Sequence, residues 1–289
     1  MPDAPTIISL TSIPPRFDQI GAVLLSLVQQ DLPADAIHLN IPRHYQRFAD
    51  WDGTLPDVPN DVTIRRCDQD WGPATKVVPS LAEFAGQDVD VLWCDDDSIY
   101  APDWHLRFKA LRRERPTEAL AAIGRHLPGV GSAPRPQAFM PRMRRLQRPA
   151  IQAHRAELGW QAHVPLIESS GYADLLSGWG GVMAKPAFFS PMVFDGPGAH
   201  WPVDDPWLSA MLTLAGTKIW VESSILPPGR LDLGGVEALF LADFDGGGRK
   251  DLDDACIAFY RETQGLWSEA SLRPEPTNPL RRAFRRILG

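Results

Sequence analysis

Three consecutive aspartates follow a run of apolar residues in the stretch VLWCDDDSIY, Val91 to Tyr100. Adjacent carboxylates repel one another unless a cation lies between them. At the end of a buried strand, Asp95, Asp96 and Asp97 would offer hard oxygen ligands, which suit Mg²⁺ or Mn²⁺ held jointly with substrate phosphates. The alternatives are a helix cap or a solvated turn, but a single aspartate is enough to cap a helix. The stretch therefore indicates a divalent-metal site.

The direction of the three side chains depends on where the strand ends. Side chains alternate along a strand, so Asp95 and Asp97 face the same way if the extended chain continues through Asp96. If the chain turns at Cys94 instead, Asp96 becomes a ligand. Both registers stay open at this point.

The composition argues against several classes of protein. The 289 residues are 44% hydrophobic and 22% charged, which is typical of a globular protein with its own core. A formal charge of -7 argues against a nucleic-acid binder that works by bulk electrostatics. Three cysteines without a CxxC pair indicate neither a disulfide framework nor a zinc site. The stretch MPDAPTIISL lacks the features of a signal peptide, and no window is long and apolar enough for a membrane span, so we expect a cytoplasmic protein.

Alternating strands and helices are predicted for the part of the chain that leads to the aspartates. The strands are TIISLT, AIHLNIP, VTIRRC and VDVLWC, and the helices cover 17–30 and, shortened or kinked by Pro79, KVVPSLAEF. This pattern predicts a mostly parallel sheet that binds ligands at the carboxyl ends of its strands. The aspartates lie at such an end.

The second half of the sequence is less regular. We predict a helix at 104–114, a strand at ALAAIG, a strand, turn and strand in LLSGWGGVMAKPAFF, a helix in PWLSAMLTLAG and a strand in TKIWVES. Between Gly124 and Ala156 there are seven arginines and no acidic residue. A connection this long is usually functional or disordered.

Five motifs, ISLTSIPPRF, DWGPATK, CDDDSIY, GWGGV and DDPWLS, occur in this order between Ile8 and Ser209. Together they resemble the nucleotide-sugar-dependent glycosyltransferases of the GT-A fold, in particular a bacterial family-2-like subset. The resemblance implies a single α/β domain with a Rossmann-like, mostly parallel sheet flanked by helices. It also implies that Asp95 and Asp97, or Asp96 in the other register, bind the Mn²⁺ or Mg²⁺ ion that bridges the diphosphate of a UDP- or GDP-linked donor. The ion would act as a Lewis acid on the leaving group.

Residues in the first three motifs are candidates for donor binding. A base or ribose would meet the sheet edge near Thr11 and Arg16, Asp70 would hydrogen-bond the base or ribose, and Lys76 would face the phosphates. The alternatives are a structural Pro-Pro turn with a surface arginine, and an exposed helix cation. The full set of candidate donor-binding residues is Thr11, Arg16, Asp70, Lys76, Asp95 and Asp96.

The last two motifs are candidates for acceptor binding and catalysis. The glycines of GWGGV let the backbone approach a ligand closely, and Trp179 offers a flat face to a sugar, although a hairpin turn with a core tryptophan is the alternative. By resemblance to inverting enzymes, Asp205 is the general base and Asp204 hydrogen-bonds the acceptor. Alternatively, one of them simply caps the following helix. The candidate acceptor-binding residues are Trp179, Gly180, Gly181, His200 and Trp201, with a structural role as the common alternative for a lone histidine.

Two departures limit what the resemblance implies. The QxxRW motif of processive synthases is absent, which favours the addition of one sugar to a glycan or lipid-linked acceptor. In a retaining enzyme Asp205 would not be a base. Other classes also fit parts of the sequence: a phosphohydrolase of the haloacid dehalogenase type begins its nucleophile loop with Asp-x-Asp, but on the first strand of its core. A tryptophan-rich module that binds carbohydrate without catalysis is the third hypothesis.

The motifs divide the chain into three parts. Residues 1–125 form the half that binds metal and nucleotide sugar, residues 126–250 form the acceptor half with its arginine-rich connection, and residues 251–289 form a helical tail. The connection would close over the donor diphosphate, meet an anionic acceptor or remain a solvated loop. The terminal NPLRRAFRRILG is amphipathic and basic, which predicts either a weak peripheral contact with the inner face of the membrane or a helix packed on the domain.

Overall fold

A computed structural model describes residues 3–127, 143–144, 166–167, 169–231 and 248–267. Most of the arginine-rich connection and the basic C-terminal segment lie outside these ranges, so their predicted roles stay predictions. The strands, in chain order from β1 to β14, are Thr6–Thr11, Ala36–Pro42, Val62–Cys67, Asp90–Trp93, Ser98–Ile99, Ala119–Ala121, Gly124–Arg125, Met143–Arg144, Leu166–Ile167, Gly171–Ala173, Leu175–Leu176, Val182–Ala184, Ile219–Val221 and Gly229–Arg230. The α-helices, α1 to α5, are Gly21–Val28, Val78–Glu83, Trp104–Glu114, Asp204–Leu214 and Arg249–Gln264.

In the described part of the chain, eight strands form a central sheet with the order β10-β13-β6-β12-β4-β1-β2-β3. Strands β3, β2, β1 and β4 are mutually parallel, as are β6 and β13. Strand β12 lies antiparallel between β4 and β6, and β10 is antiparallel to β13. The mostly parallel α/β sheet predicted from the sequence is therefore confirmed, with two reversed strands.

Alternating side chains divide the core between the two faces of this sheet. In β4, Val91 and Trp93 face one cluster, which includes buried residues of α2, α4 and α5. Leu92 and Cys94 face the other cluster, which includes buried residues of α1 and α3. Because helices cover both faces, apolar side chains are buried on each side, as expected of a parallel sheet. None of the helices in the described ranges has the length and apolarity that crossing a membrane requires.

The strand, turn and strand predicted for LLSGWGGVMAKPAFF are present as β11, the 3₁₀ turn Gly178–Gly180 and β12. The alternative of a hairpin is wrong, because β11 pairs with β7 whereas β12 enters the central sheet. The following residues, Pro186–Phe188, form a 3₁₀ turn rather than a strand. The helix with Pro79 is short, as predicted, because α2 has only six residues. Pro79 lies in its first turn, where the missing N–H costs no hydrogen bond.

The amino end of β4 contains a buried ion pair. Arg112 of α3 donates from Nε to Asp90 Oδ1 at 2.9 Å and from Nη2 to the carbonyl oxygen of Met183 at 3.1 Å. Its remaining nitrogen, Nη1, donates to the carbonyl oxygens of Arg115 and Glu118. Lys109 Nζ lies 3.7 Å from Asp90 Oδ2. These contacts fix α3 to the sheet at the edge opposite the aspartate loop.

Candidate active site

The aspartate loop leaves the sheet at the carboxyl edge, directly after β4. Cys94 N still donates to the carbonyl oxygen of Ser9 in β1 at 3.1 Å, so strand pairing continues one residue beyond β4. The hydroxyl of Tyr100 then accepts from Asp95 N at 3.0 Å and lies 3.1 Å from the carbonyl oxygen of Asp95. The loop is therefore closed on itself, which fixes the direction of its carboxylates.

Asp96 is the buried member of the three aspartates. Its Oδ2 accepts from Ser12 Oγ at 2.5 Å, and its Oδ1 accepts from Arg16 Nη1 at 2.6 Å. Burial raises the pKa of Asp96 to about 6, against the opposing charge of Arg16. Asp97 Oδ2 lies 4.0 Å from the same guanidinium nitrogen. Both oxygens of Asp96 therefore have protein donors. Asp95 and Asp97 are the half-buried carboxylates of the loop.

Lys76 carries a buried ammonium group between two motifs. Its Nζ lies 2.5 Å from Asp95 Oδ1 and 2.7 Å from Asp204 Oδ2, and the residue is only 5% exposed. Burial by itself would lower the pKa of Lys76, but Asp204 and Asp95 raise it, so the ammonium stays charged. Lys76 thus joins the aspartate loop to the first turn of α4. Its predicted contact with donor phosphates stays a prediction.

The acidic pair of DDPWLS lies in the first turn of α4. Val203 occupies the N-cap position without a side-chain cap bond, so the prediction that either aspartate caps this helix is wrong. Asp204 is buried and contacts Lys76 and, at 3.3 Å, Arg249 Nη2 of α5. Asp205 is half-buried and its Oδ1 accepts from Gly178 N at 2.8 Å.

The two neighbouring carboxyl groups have different affinities for a proton. Burial and the charge of Asp204 raise the pKa of Asp205 to about 7. Burial acts in the same direction on Asp204, but Lys76 and Arg249 outweigh it and lower the pKa of that carboxyl group. A pair whose pKa values are pushed apart can divide its roles, with one group ionised and the other exchanging protons near neutral pH.

The GWGGV segment brings backbone atoms against the acidic pair. A side-chain carbon at Gly178 would lie 3.1 Å from Lys76 Nζ and 3.2 Å from Asp205 Oδ1. Gly181 has a φ of +99°, and a side-chain carbon there would overlap the indole of Trp104. Gly181 therefore requires glycine, and at Gly178 a side chain would press on Lys76 and Asp205. The indole of Trp179 is half-buried against the core on the α1 and α3 face. A sugar contact for Trp179, Gly180 and Gly181 stays a prediction.

Four other predicted site residues make contacts within the protein. Thr11 Oγ1 donates to the carbonyl oxygen of Asn40 at 2.7 Å. The carboxylate of Asp70 accepts from the backbone N–H groups of Gln46 and Gly72, both at 2.8 Å, and Trp201 Nε1 donates to its carbonyl oxygen at 3.1 Å.

The His200 ring lies 4.9 Å from the ring of Phe259 and 6.1 Å from that of Tyr260 in α5. The contacts of Thr11, Asp70, His200 and Trp201 stabilise loops and helix packing. Their predicted contacts with substrate stay predictions.

Three residues of the site were not found by sequence reasoning. Ser12 and Tyr100 lie within the quoted motifs, and their polar side chains next to Asp96 and Asp95 were the available signal. Arg249 belongs to none of the motifs. It reaches Asp204 only because α5 packs beside α4, where Cys256, Ile257 and Tyr260 are buried in the shared core.

The acidic residues of the aspartate loop are the candidates for holding a metal ion. In the ranges that the structure describes, no group of three or more histidine, cysteine or acidic residues forms a complete metal cage. Mg²⁺ commonly binds through one or two carboxylates and takes its other ligands from water and phosphate oxygens. A metal ion on Asp95 and Asp97 stays a prediction.

Neither a protein-family model nor a curated protein sequence matches this chain. Solved structures of S. aureus TarS are similar in fold at low identity. The TarS structure matches at 15% identity with a TM-score of 0.44, covering 95% of this chain and 46% of that one. TarS 1-349 in complex with UDP matches at 14% identity and a TM-score of 0.45, covering 94% and 76%. The complex of TarS 1-349 with UDP-GlcNAc matches at 14% identity and 0.46, covering 95% and 77%.

Proposed function

We propose that this chain is a metal-dependent glycosyltransferase that moves one sugar from a nucleotide-sugar donor to a glycan or lipid-linked acceptor. One observation carries the proposal. Residues from five motifs, far apart in sequence, meet at the carboxyl edge of the sheet through direct polar contacts: Arg16 with Asp96, Lys76 with Asp95 and Asp204, and Gly178 with Asp205. This edge is where open α/β sheets bind ligands.

The arrangement supports an inverting displacement with Asp205 as the base. A base must be ionised often enough to accept a proton and basic enough to take it, and a pKa of about 7 meets both conditions near neutral pH. Gly178 N orients the carboxylate at 2.8 Å. Asp205 would take the proton of the acceptor hydroxyl as that oxygen attacks the anomeric carbon, and the nucleoside diphosphate leaves. Asp204, held by Lys76, stays ionised beside it.

Asp95 and Asp97 would hold Mn²⁺ or Mg²⁺ together with the donor diphosphate. Such an ion neutralises the charge that develops on the leaving diphosphate. Asp96 would not be a ligand, because its Oδ1 is paired with Arg16 at 2.6 Å and its Oδ2 accepts from Ser12. Residues 1–125 would form the donor half and residues 126–250 the acceptor half.

The phosphohydrolase alternative receives less support. Its nucleophile loop is expected after the first strand of the core, whereas the aspartate loop follows β4. A nucleophilic Asp95 would also have to leave the ammonium of Lys76, 2.5 Å away. Trapping of an aspartyl-phosphate analogue with beryllium fluoride would favour this alternative.

Calorimetric titration with UDP and GDP, with and without Mn²⁺, tests the proposal. We expect one nucleotide to bind only when the metal is present, and excess EDTA to abolish transfer or hydrolysis of the nucleotide sugar. Asp97→Ala should lose metal-dependent binding, because the site then keeps one carboxylate of the pair. Asp103→Ala, an exposed acid in an ion pair with Arg107 on α3, is the control and should bind as wild type does. Unchanged turnover of Asp97→Ala would contradict the metal assignment.

A further inference from the structure

The first residue of α5, Arg249, contacts the acidic pair from the side opposite Lys76. Its Nη2 lies 3.3 Å from Asp204 Oδ1, while Lys76 Nζ lies 2.7 Å from Asp204 Oδ2. Each oxygen of this buried carboxylate therefore has its own cation. Such an arrangement holds a carboxylate in one orientation and in its ionised form.

The position of Arg249 is set by the packing of its helix. Cys256, Ile257 and Tyr260 are buried in the core beneath α4 and α5. Asp253, one turn further along, forms an ion pair with Arg125 of β7 at 2.5 Å. The guanidinium is therefore in place beside Asp204 before any substrate binds.

Asp205 experiences the charges of three elements. Asp204 is its neighbour in α4, Lys76 approaches from the 3₁₀ turn Gly72–Lys76, and Arg249 approaches from α5; the other close contact is the neutral Gly178 N–H. Two adjacent carboxyl groups without enough cations would compete for one proton. The cations on Asp204 prevent this competition.

We propose that Arg249 is a positioning residue that keeps Asp204 ionised against Lys76 and so leaves proton uptake to Asp205. Arg249 acts through Asp204 and is not itself the base. The inference rests on the proposed function of Asp205 and extends it by a residue outside the five motifs.

Removal of the cation should change how the rate depends on pH. We expect Arg249→Gln to shift the acid limb of the transfer rate upward by about one pH unit, because the acidic pair loses one of its two cations and therefore keeps its shared proton to a higher pH. Turnover then falls about tenfold near pH 6 and approaches the wild-type rate near pH 9. Arg249→Lys should restore most of the wild-type profile. The matched control is Lys250→Gln, which removes the next cation of the same helix, an exposed one paired with Asp254, and should leave the profile unchanged.

A second measurement does not require turnover. Carbon NMR of labelled aspartate carboxyl groups, assigned with Asp205→Asn, reports the titration midpoint of Asp205 directly. We expect the midpoint to rise in Arg249→Gln and to fall in Asp204→Asn, where the competing charge is gone. If no nucleotide sugar is turned over but the Asp205 midpoint moves as expected in both variants, the proposed function fails and the positioning role stands. An unchanged midpoint in either folded variant, or an equal shift in Lys250→Gln, overturns the inference.

Discussion

The two ends of β4 carry buried charges in opposite proportions. At the amino end, one carboxylate, Asp90, faces two cations, Arg112 and Lys109. Every nitrogen of the Arg112 guanidinium has an acceptor there. The ion pair of Arg112 with Asp90 connects α3 to the sheet.

Among the residues that the structure describes, the acids at the carboxyl end exceed the cations. Five aspartates, Asp95, Asp96, Asp97, Asp204 and Asp205, contact or adjoin three cations, Arg16, Lys76 and Arg249. Five minus three leaves an excess of two negative charges when all are ionised. A buried excess of this kind is relieved by a proton or a metal ion. The amino end, where cations exceed the single carboxylate, has no such need for a further cation.

The largest expected effect is on catalysis at the carboxyl end of β4. Asp205→Asn keeps the size of the side chain but removes the base, and we expect kcat to fall by about 10² to 10⁴ because that is the usual contribution of a positioned base. Nucleotide affinity should change little. Steady-state kinetics measure both quantities.

Asp254→Asn provides the control for the loss of a carboxylate, since Asp254 is exposed on α5 and pairs with Lys250. If the kcat of Asp205→Asn lies within a factor of about three of wild type, Asp205 is not the base and a retaining reaction is favoured.

The next largest effect is on stability and concerns the amino end of β4. Asp90→Ala leaves Arg112 buried without its carboxylate, so we expect the free energy of unfolding to fall by about 3–5 kcal/mol. Denaturant unfolding measures it, and turnover per folded molecule should stay at the wild-type level. Asp88→Asn, which breaks the exposed pair with Lys185, should cost less than about 1 kcal/mol. Equal costs for the two variants would contradict the assignment of the Asp90 ion pair to stability.

The smallest expected effect is on how stability depends on pH, through Asp205 at the carboxyl end of β4. The folded-state pKa of Asp205, about 7, lies above the ordinary value of 3.8, so the folded protein holds a proton that the unfolded chain has lost. Stability from this group is therefore lost as pH rises from about 4 to about 7. Asp205→Asn does not titrate, and we expect its melting temperature to gain on wild type between about pH 4 and about pH 7. A difference between the two proteins that does not change with pH would refute the raised pKa.

The first half of the fold was predictable because its patterns are local. Strands β1, β2 and β4 are short runs rich in apolar residues, nearly all of them buried, and buried parallel strands have that signature. The sheet partners of the reversed strand β12 were not predictable, because β4 and β6 lie far away in sequence. The three residues of β12 carry no local signal for that choice.

Site residues within the motifs were predictable from the sequence, whereas contacts that depend on tertiary packing were not. The aspartates, Lys76 and the glycines of GWGGV were recognised as candidates from residue types and spacing. The partners of Lys76 were not, since its contacts with Asp95 and Asp204 depend on how α4 meets the sheet. Arg249 lies in a polar helix start that resembles any solvated helix.

The place of β12 in the sheet has a consequence for how the chain is synthesised. Strands β4 and β6 emerge from the ribosome first, yet they cannot pair with each other, because β12 must later enter between them. Until Val182–Ala184 have been made, both strands present open edges, which are prone to wrong pairing with other chains. A fragment that ends at residue 125 would keep those edges permanently. The two halves assigned to donor and acceptor are therefore divisions of one folding unit, and neither half is expected to be a separable module.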